Sequence, residues 1–255
     1  MLSYLLFLAT TFSFATPEMM LTNPEATQKA GIRTIQHPPM ISFLDLNLPD
    51  RGYPGGRRRG AASRGGDQDQ ACPAEYLDLT ALVPDTNFGL TWSNNPSFWY
   101  YIPEAEDTPL VGELVIQDST EDPSITIYRD QIELDPQGGV FKISPALDQD
   151  LEDGKTYTLF LKIYCDLRSP EDYSYVENQI QKNLMPVDIE TEIVGISLSE
   201  RLQLYAEYGI WYDLVSELGQ ELLEDPNNAE LQEMWDELLE KTDLENLLGH
   251  DLREL

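Results

Sequence analysis

Between residues 76 and 184, apolar and polar positions alternate in short runs broken by turn residues. That is the two-residue period of half-buried strands. The runs are YLDLTALV (76–83), FGLTW (88–92), SFWYYIP (97–103), GELVIQD (112–118), SITIYRDQIEL (124–134), VFKIS (140–144), KTYTLFLKIYC (155–165) and YVENQIQKNL (175–184). In 155–165, Tyr157, Leu159, Leu161 and Ile163 share one face. In 124–134 the apolar parity slips: Ile125 and Ile127 lie on one side, Ile132 and Leu134 on the other. The slip predicts a bulge or a break there. Seven or eight strands, with no helix between them, predict a mainly β fold: an immunoglobulin-like β-sandwich over residues 72–186.

After a polar connector the period changes to 3.6. Ser197 and Glu200 form a capping-box pattern ahead of Leu202, Tyr205 and Ala206. Gly209 interrupts. A second helix is predicted from Trp211 to Glu224, with Leu214, Val215, Leu218 and Leu222 on its apolar stripe. Pro226-Asn227-Asn228 ends it. A third, from Ala229 to Lys241, carries Leu231, Met234, Trp235 and Leu238, and a last turn holds Leu244, Leu247 and Leu248. Residues 205–231 resemble one tetratricopeptide repeat, with Gly209, an aromatic at 211 and the Pro-Asn-Asn turn in place. Leu214 and Glu221 stand where that repeat usually has Ala. One repeat does not make a solenoid, so residues 197–248 read as a helical appendage that rests on the sandwich or on a partner.

The N-terminal region is different. Residues 2–15 are apolar or small, too short for a span that needs about 20 residues. They read as a signal peptide, residues 1–15, with Ser13 and Ala15 as the small cleavage-site residues, although no Lys or Arg precedes them. Export to the periplasm or the extracellular space follows, with no transmembrane span in the mature chain. Residues 16–71, rich in Pro, Gly and Arg, read as a disordered linker. Its basic tract, 51–66, has three readings: a solvated linker, a tether to an anionic envelope polymer, or a strap onto the chain's own acidic body.

Charge sharpens this. The net charge is −30, but residues 1–71 hold seven Lys/Arg against six acids, so the acidity belongs to the rest. Such a surface repels phosphate backbones and disfavours nucleic acid and anionic lipid as partners. Two cysteines, Cys72 and Cys165, in an exported chain make one candidate disulfide.

The whole folded region resembles a cyanobacterial family of exported proteins, domain of unknown function 928. The likeness is carried by the Arg/Gly tract (Arg57 to Gly66), Cys72-Pro73, LTALVP (79–84) and GLTWSNNPSFWYYIP (89–103). It continues through LEDGKTYTLFLKIYCD (151–166), YVENQIQK (175–182) and SERLQLYAEYGIWYDLVSEL (199–218). The resemblance implies export and brings no activity with it.

Chemistry is sparse. The two histidines, His37 and His250, lie in the linker and near the C-terminus, away from any packed catalytic setting. No phosphate-binding loop, dinucleotide fingerprint or HExxH motif is present, and no cofactor is implied. Asp148, Asp150 and Glu152 are the metal candidates. Gly154 falls one place late and Leu159 stands at the twelfth position, so the stretch is not an EF-hand. The plainer reading is an acidic turn. The aromatic run offers Trp99 and Tyr101, with Trp211 on the helix, as a binding surface; otherwise the helices cover it. These features predict a non-catalytic cell-envelope binding or scaffolding protein whose partner is a protein or an envelope polymer. A carbohydrate- or calcium-binding module is the second reading and a carboxylate-dependent hydrolase the third.

Overall fold

The computed structural model describes residues 44–49, 55–62, 72, 74–105 and 110–255. The predicted signal peptide and most of the predicted linker lie outside the described residues. Strands are β1 (Arg57–Ala62), β2 (Thr80–Ala81), β3 (Phe88–Thr91), β4 (Phe98–Ile102), β5 (Leu110–Asp118), β6 (Ile125–Leu134), β7 (Gly139–Ile143), β8 (Thr156–Tyr164), β9 (Tyr173–Lys182) and β10 (Leu252–Glu254). Helices are α1 (Val187–Glu192), α2 (Leu198–Tyr208), α3 (Trp211–Glu224) and α4 (Ala229–Lys241), with β10 after the last.

The fold is mainly β, but its sheet is continuous and curled. The order is β10-β7-β4-β2-β1-β9-β8-β5-β6, and β3 pairs with β9. The joint is β1, which pairs with β2 through Arg59 and Thr80, and with β9 through Arg57 and Glu177 and again through Ala61 and Tyr175. The expected sandwich of seven or eight strands thus becomes ten strands among the described residues. The two extra strands, β1 and β10, carry no apolar alternation. Their ladder bonds come from the backbone, which composition does not reveal.

Residues 57–62, expected in the linker, are therefore part of the sheet. So is the expected linker segment 44–49 part of the body: Leu44 is fully buried and Asn47 N donates to the Ala206 carbonyl at 2.9 Å. The run 76–83 starts in a 3₁₀ turn, Ala74–Asp78, and holds only the two-residue β2 as strand. The predicted slip in 124–134 is real. Tyr128 pairs with Ile116 and Thr126 with Gln117, leaving Ile127 as the extra residue of a bulge.

The helices begin and end where the pattern placed them. Ser197 and Glu200 close the capping box, and Gly209 is left-handed (φ 68°) at the α2 C-cap. A Cβ at Gly209 would strike the Asn47 carbonyl, so glycine serves the turn and the docked segment together. No side chain caps the start of α3. The missing cap costs about 1 kcal/mol. Burial of Leu214, Val215, Leu218 and Leu222 outweighs it, at about 1.5–3 kcal/mol for each such side chain. These residues share one hydrophobic cluster with Leu114, Leu159 and Leu161 of the sheet. α1, inside the expected connector, buries only Ile189. Among the described residues, no helix is long and apolar enough to cross a membrane.

Candidate functional site

The aromatic strand is core rather than surface. Trp99 is 3 % exposed, lies 5.7 Å from the Trp235 ring and abuts Gly219. Trp211 is 1 % exposed, and its Nε1 donates to the Leu82 carbonyl at 2.9 Å. Both are removed from any binding surface: α3 and α4 cover Trp99, and Trp211, the first residue of α3, packs inward against Leu82 and Gly89. Tyr101 stays partly exposed against the His250 ring at 4.6 Å. Phe98, the neighbour of Trp99 on β4, meets Tyr212 of α3 edge-on at 5.6 Å. The Tyr212 hydroxyl accepts from Asn178 Nδ2 at 2.8 Å and donates to the Gln179 carbonyl at 3.2 Å.

The acidic turn is not drawn into a metal centre. Asp148, Asp150 and Glu152 are exposed along one wall of a cleft of about 380 Å³. Asn94 Nδ2 donates to Asp150 at 3.3 Å, and Lys155 pairs with Glu152 at 2.8 Å and with Asp118 at 3.0 Å. Lys182 pairs with the neighbouring Asp153 at 2.7 Å. Of the three, Glu152 meets a lysine and Asp150 an asparagine, and the carboxylates do not converge on one point. Among the described residues, no group of three His, Cys, Asp or Glu side chains could hold a metal ion.

Cys72 and Cys165 form a disulfide, their Cα atoms 5.2 Å apart. The bond anchors the segment ahead of the 3₁₀ turn to the residue after β8.

The feature that sequence reading passed over is the outer face of β5, β8 and β9. β9 alternates strictly: Ser174, Val176, Asn178 and Ile180 point inward and are buried, while Tyr173, Tyr175 and Glu177 point outward. Across from them on β8 stand Tyr164, Lys162 and Phe160, in register. The rings of Tyr164 and Tyr173 are 6.3 Å apart, and those of Tyr173 and Tyr175 5.7 Å. Two cations lie on these rings: Arg57 is 4.7 Å from the Tyr175 centroid and Lys162 5.1 Å from that of Tyr173. A shallow cleft of about 230 Å³ opens here, bordered by Gln117 and Arg129 as well.

Its carboxylates are set differently. Burial pushes the Glu113 carboxyl up, but Lys162 at 3.0 Å and Arg129 at 2.7 Å overcome it and hold it below its ordinary value. Burial raises Glu177, with Arg57 opposing. The signal for this face was in the sequence: Tyr173, Tyr175 and Glu177 have one parity, opposite to Val176 and Ile180.

The sequence profile of a family described as Domain of Unknown Function (DUF928) matches residues 59–252. No curated protein and no solved structure matches the chain.

Proposed function

This chain belongs to the DUF928 family, and from that premise we propose that it is a non-catalytic binding or scaffolding protein of the cell envelope. The observation that carries the reading is the outer face of β8 and β9. A chain of three tyrosines, with Tyr173 touching the other two, and two cations over their rings are held there, partly exposed, on a rigid sheet. Aromatic side chains on a rigid element supply contact area at little entropic cost. The disulfide supports export to an oxidising compartment, the periplasm or the cell exterior. In this reading the curled sheet is an immunoglobulin-like sandwich closed at β1. Residues 205–231, from the end of α2 through α3 to the turn from which Asn228 caps α4, are a tetratricopeptide-like segment used for packing.

The test is retention on isolated envelope. The full chain is expected to sediment with envelope fractions, and a Tyr173→Ala/Tyr175→Ala double variant that keeps the wild-type melting temperature to stay in solution. Equal retention of both proteins removes this face from the proposal. Turnover of glycosides or esters by the pure protein, abolished by a single carboxylate substitution, overturns the non-catalytic reading.

A further inference from the structure

Resting on the binding reading above, we infer that the partner of this face is an anionic polysaccharide, one whose sugar rings carry carboxylates. The pairings of five strands align Arg57, Glu177, Phe160, Val115 and Arg129 in one row. Four strand spacings separate its ends, about 19 Å. A cation stands at each end and an aromatic ring in the middle. That length suits a short run of linked sugars rather than a single small molecule.

The local charge differs from that of the molecule. The chain carries −30, but around this row Arg57, Arg129 and Lys162 stand against Glu113 and Glu177, and Glu133, on the same face, lies four residues along β6 from Arg129, about 13 Å away. Charges more than about 8 Å away are largely screened at physiological salt, so a ligand lying here meets the local sign. Glu113 is already satisfied by Lys162 and Arg129. Arg57 is exposed, and among the described residues no carboxylate lies within 4 Å of it to form an ion pair. The Tyr175 ring holds one face of its guanidinium, and the N–H edge remains for a ligand. A planar guanidinium fixed in this way fits a carboxylate with two parallel hydrogen bonds.

Two further features favour a sugar over an acidic peptide. The half-buried ring of Phe160 offers flat apolar contact to the C–H face of a pyranose. Glu177, between Arg57 and Phe160 in the row, can accept hydrogen bonds from hydroxyls. The same carboxylate would repel a chain of consecutive acidic residues.

The experiment is calorimetric titration of the full chain with oligogalacturonate, beside a neutral oligoglucose of the same length and polyglutamate. Binding to oligogalacturonate is expected, weakening with added salt. Arg57→Gln should weaken it about tenfold, the size of one lost charge-assisted pair, without change in melting temperature. Equal binding of the neutral glycan, stronger binding of polyglutamate, or an Arg57→Gln variant that binds as wild type overturns the inference. The envelope-retention assay separates the two levels. Retention that depends on Tyr173 and Tyr175, with no affinity for oligogalacturonate, refutes the ligand class and leaves the binding reading standing. Retention independent of those tyrosines removes this face from both.

Discussion

Arg58 closes the end of α4 through Thr242: its Nη1 donates to the Thr242 carbonyl at 2.6 Å. The same guanidinium reaches the carbonyls of Val83 at 3.1 Å and Asp243 at 2.8 Å. Next to it, Arg59 donates to the Asn246 side chain at 3.3 Å. Of three consecutive arginines, two strap the sheet to the helical end and one, Arg57, faces the opposite side. The basic tract therefore acts partly on the chain's own body. A cation at a helix C-terminus is favourable because carbonyls there lack intrahelical partners.

Arg58→Ala leaves those carbonyls unmatched in a half-buried setting. We expect a loss of about 1–3 kcal/mol in urea unfolding. Arg58→Lys should recover only part of it, since an ammonium cannot fork between three carbonyls. Arg57→Ala, which breaks no hydrogen bond described here, should leave stability within about 0.5 kcal/mol of wild type.

Gly219 tests the packing of α3 on β4. A Cβ there would lie 2.5 Å from one Trp99 ring atom and 2.7 Å from another. Gly→Ala inside a helix ordinarily gains about 0.5–1 kcal/mol. Overpacking a filled core costs about 1–3 kcal/mol, and Trp99 is pinned against Trp235, so the cost wins. Gly219→Ala should lower the melting temperature and alter the near-ultraviolet circular dichroism of the tryptophans. A stabilised variant with an unchanged spectrum would show that Trp99 can move.

Asp213 sits in the first turn of α3 and joins it to the end of β3. Its Oδ2 accepts from Thr91 Oγ1 at 2.6 Å and from Trp92 N at 3.2 Å. Burial nonetheless pushes its carboxyl from 3.8 up to about 6. Between those values the folded protein holds a proton that the unfolded chain has lost. The stabilising contribution is thus complete below pH 4 and disappears as pH rises through about 6. Asp213 also borders a cleft of about 310 Å³, and water there trims the effect to about 1–2 kcal/mol. Asp213→Asn keeps an acceptor for both donors. It should match wild type near pH 4 and exceed it by that amount at pH 7, read from urea midpoints. Parallel pH profiles for the two proteins would exclude this account.

The disulfide joins residues 93 apart in sequence. Closing a loop that long removes about 4–5 kcal/mol of unfolded-state entropy in the chain model. Reduction, or a Cys72→Ser/Cys165→Ser double variant, should lower unfolding stability by up to that amount. Alkylation of the denatured, unreduced protein should label neither cysteine.

Much of the fold could be read directly from the chain. The bounds of α2, α3 and α4 followed from Ser197, Gly209 and the Pro226 turn, because caps and breakers act over a few residues and need no distant partner. The faces of β8 and the bulge in β6 followed from parity for the same reason. β1 and β10 could not be read this way, since their pairing depends on backbone groups far apart in the chain. The candidate face was half legible: parity put Tyr173 and Tyr175 on one side of β9, but which side faces solvent depends on where the helices settle. That is also why Trp99, Tyr101 and Trp211 read as a binding surface in the sequence, although Trp99 and Trp211 are buried.

By itself, then, the sequence determined the local elements, the acidity of the body and the presence of two cysteines able to bond. All of these follow from short-range periodicity or composition. Only the tertiary structure decided that β1 joins the two parts of the sheet, that the three arginines divide between two sides, and that cations rest on a tyrosine row. Each of these requires residues distant in sequence to meet, and no local pattern encodes which side of a strand will be left uncovered.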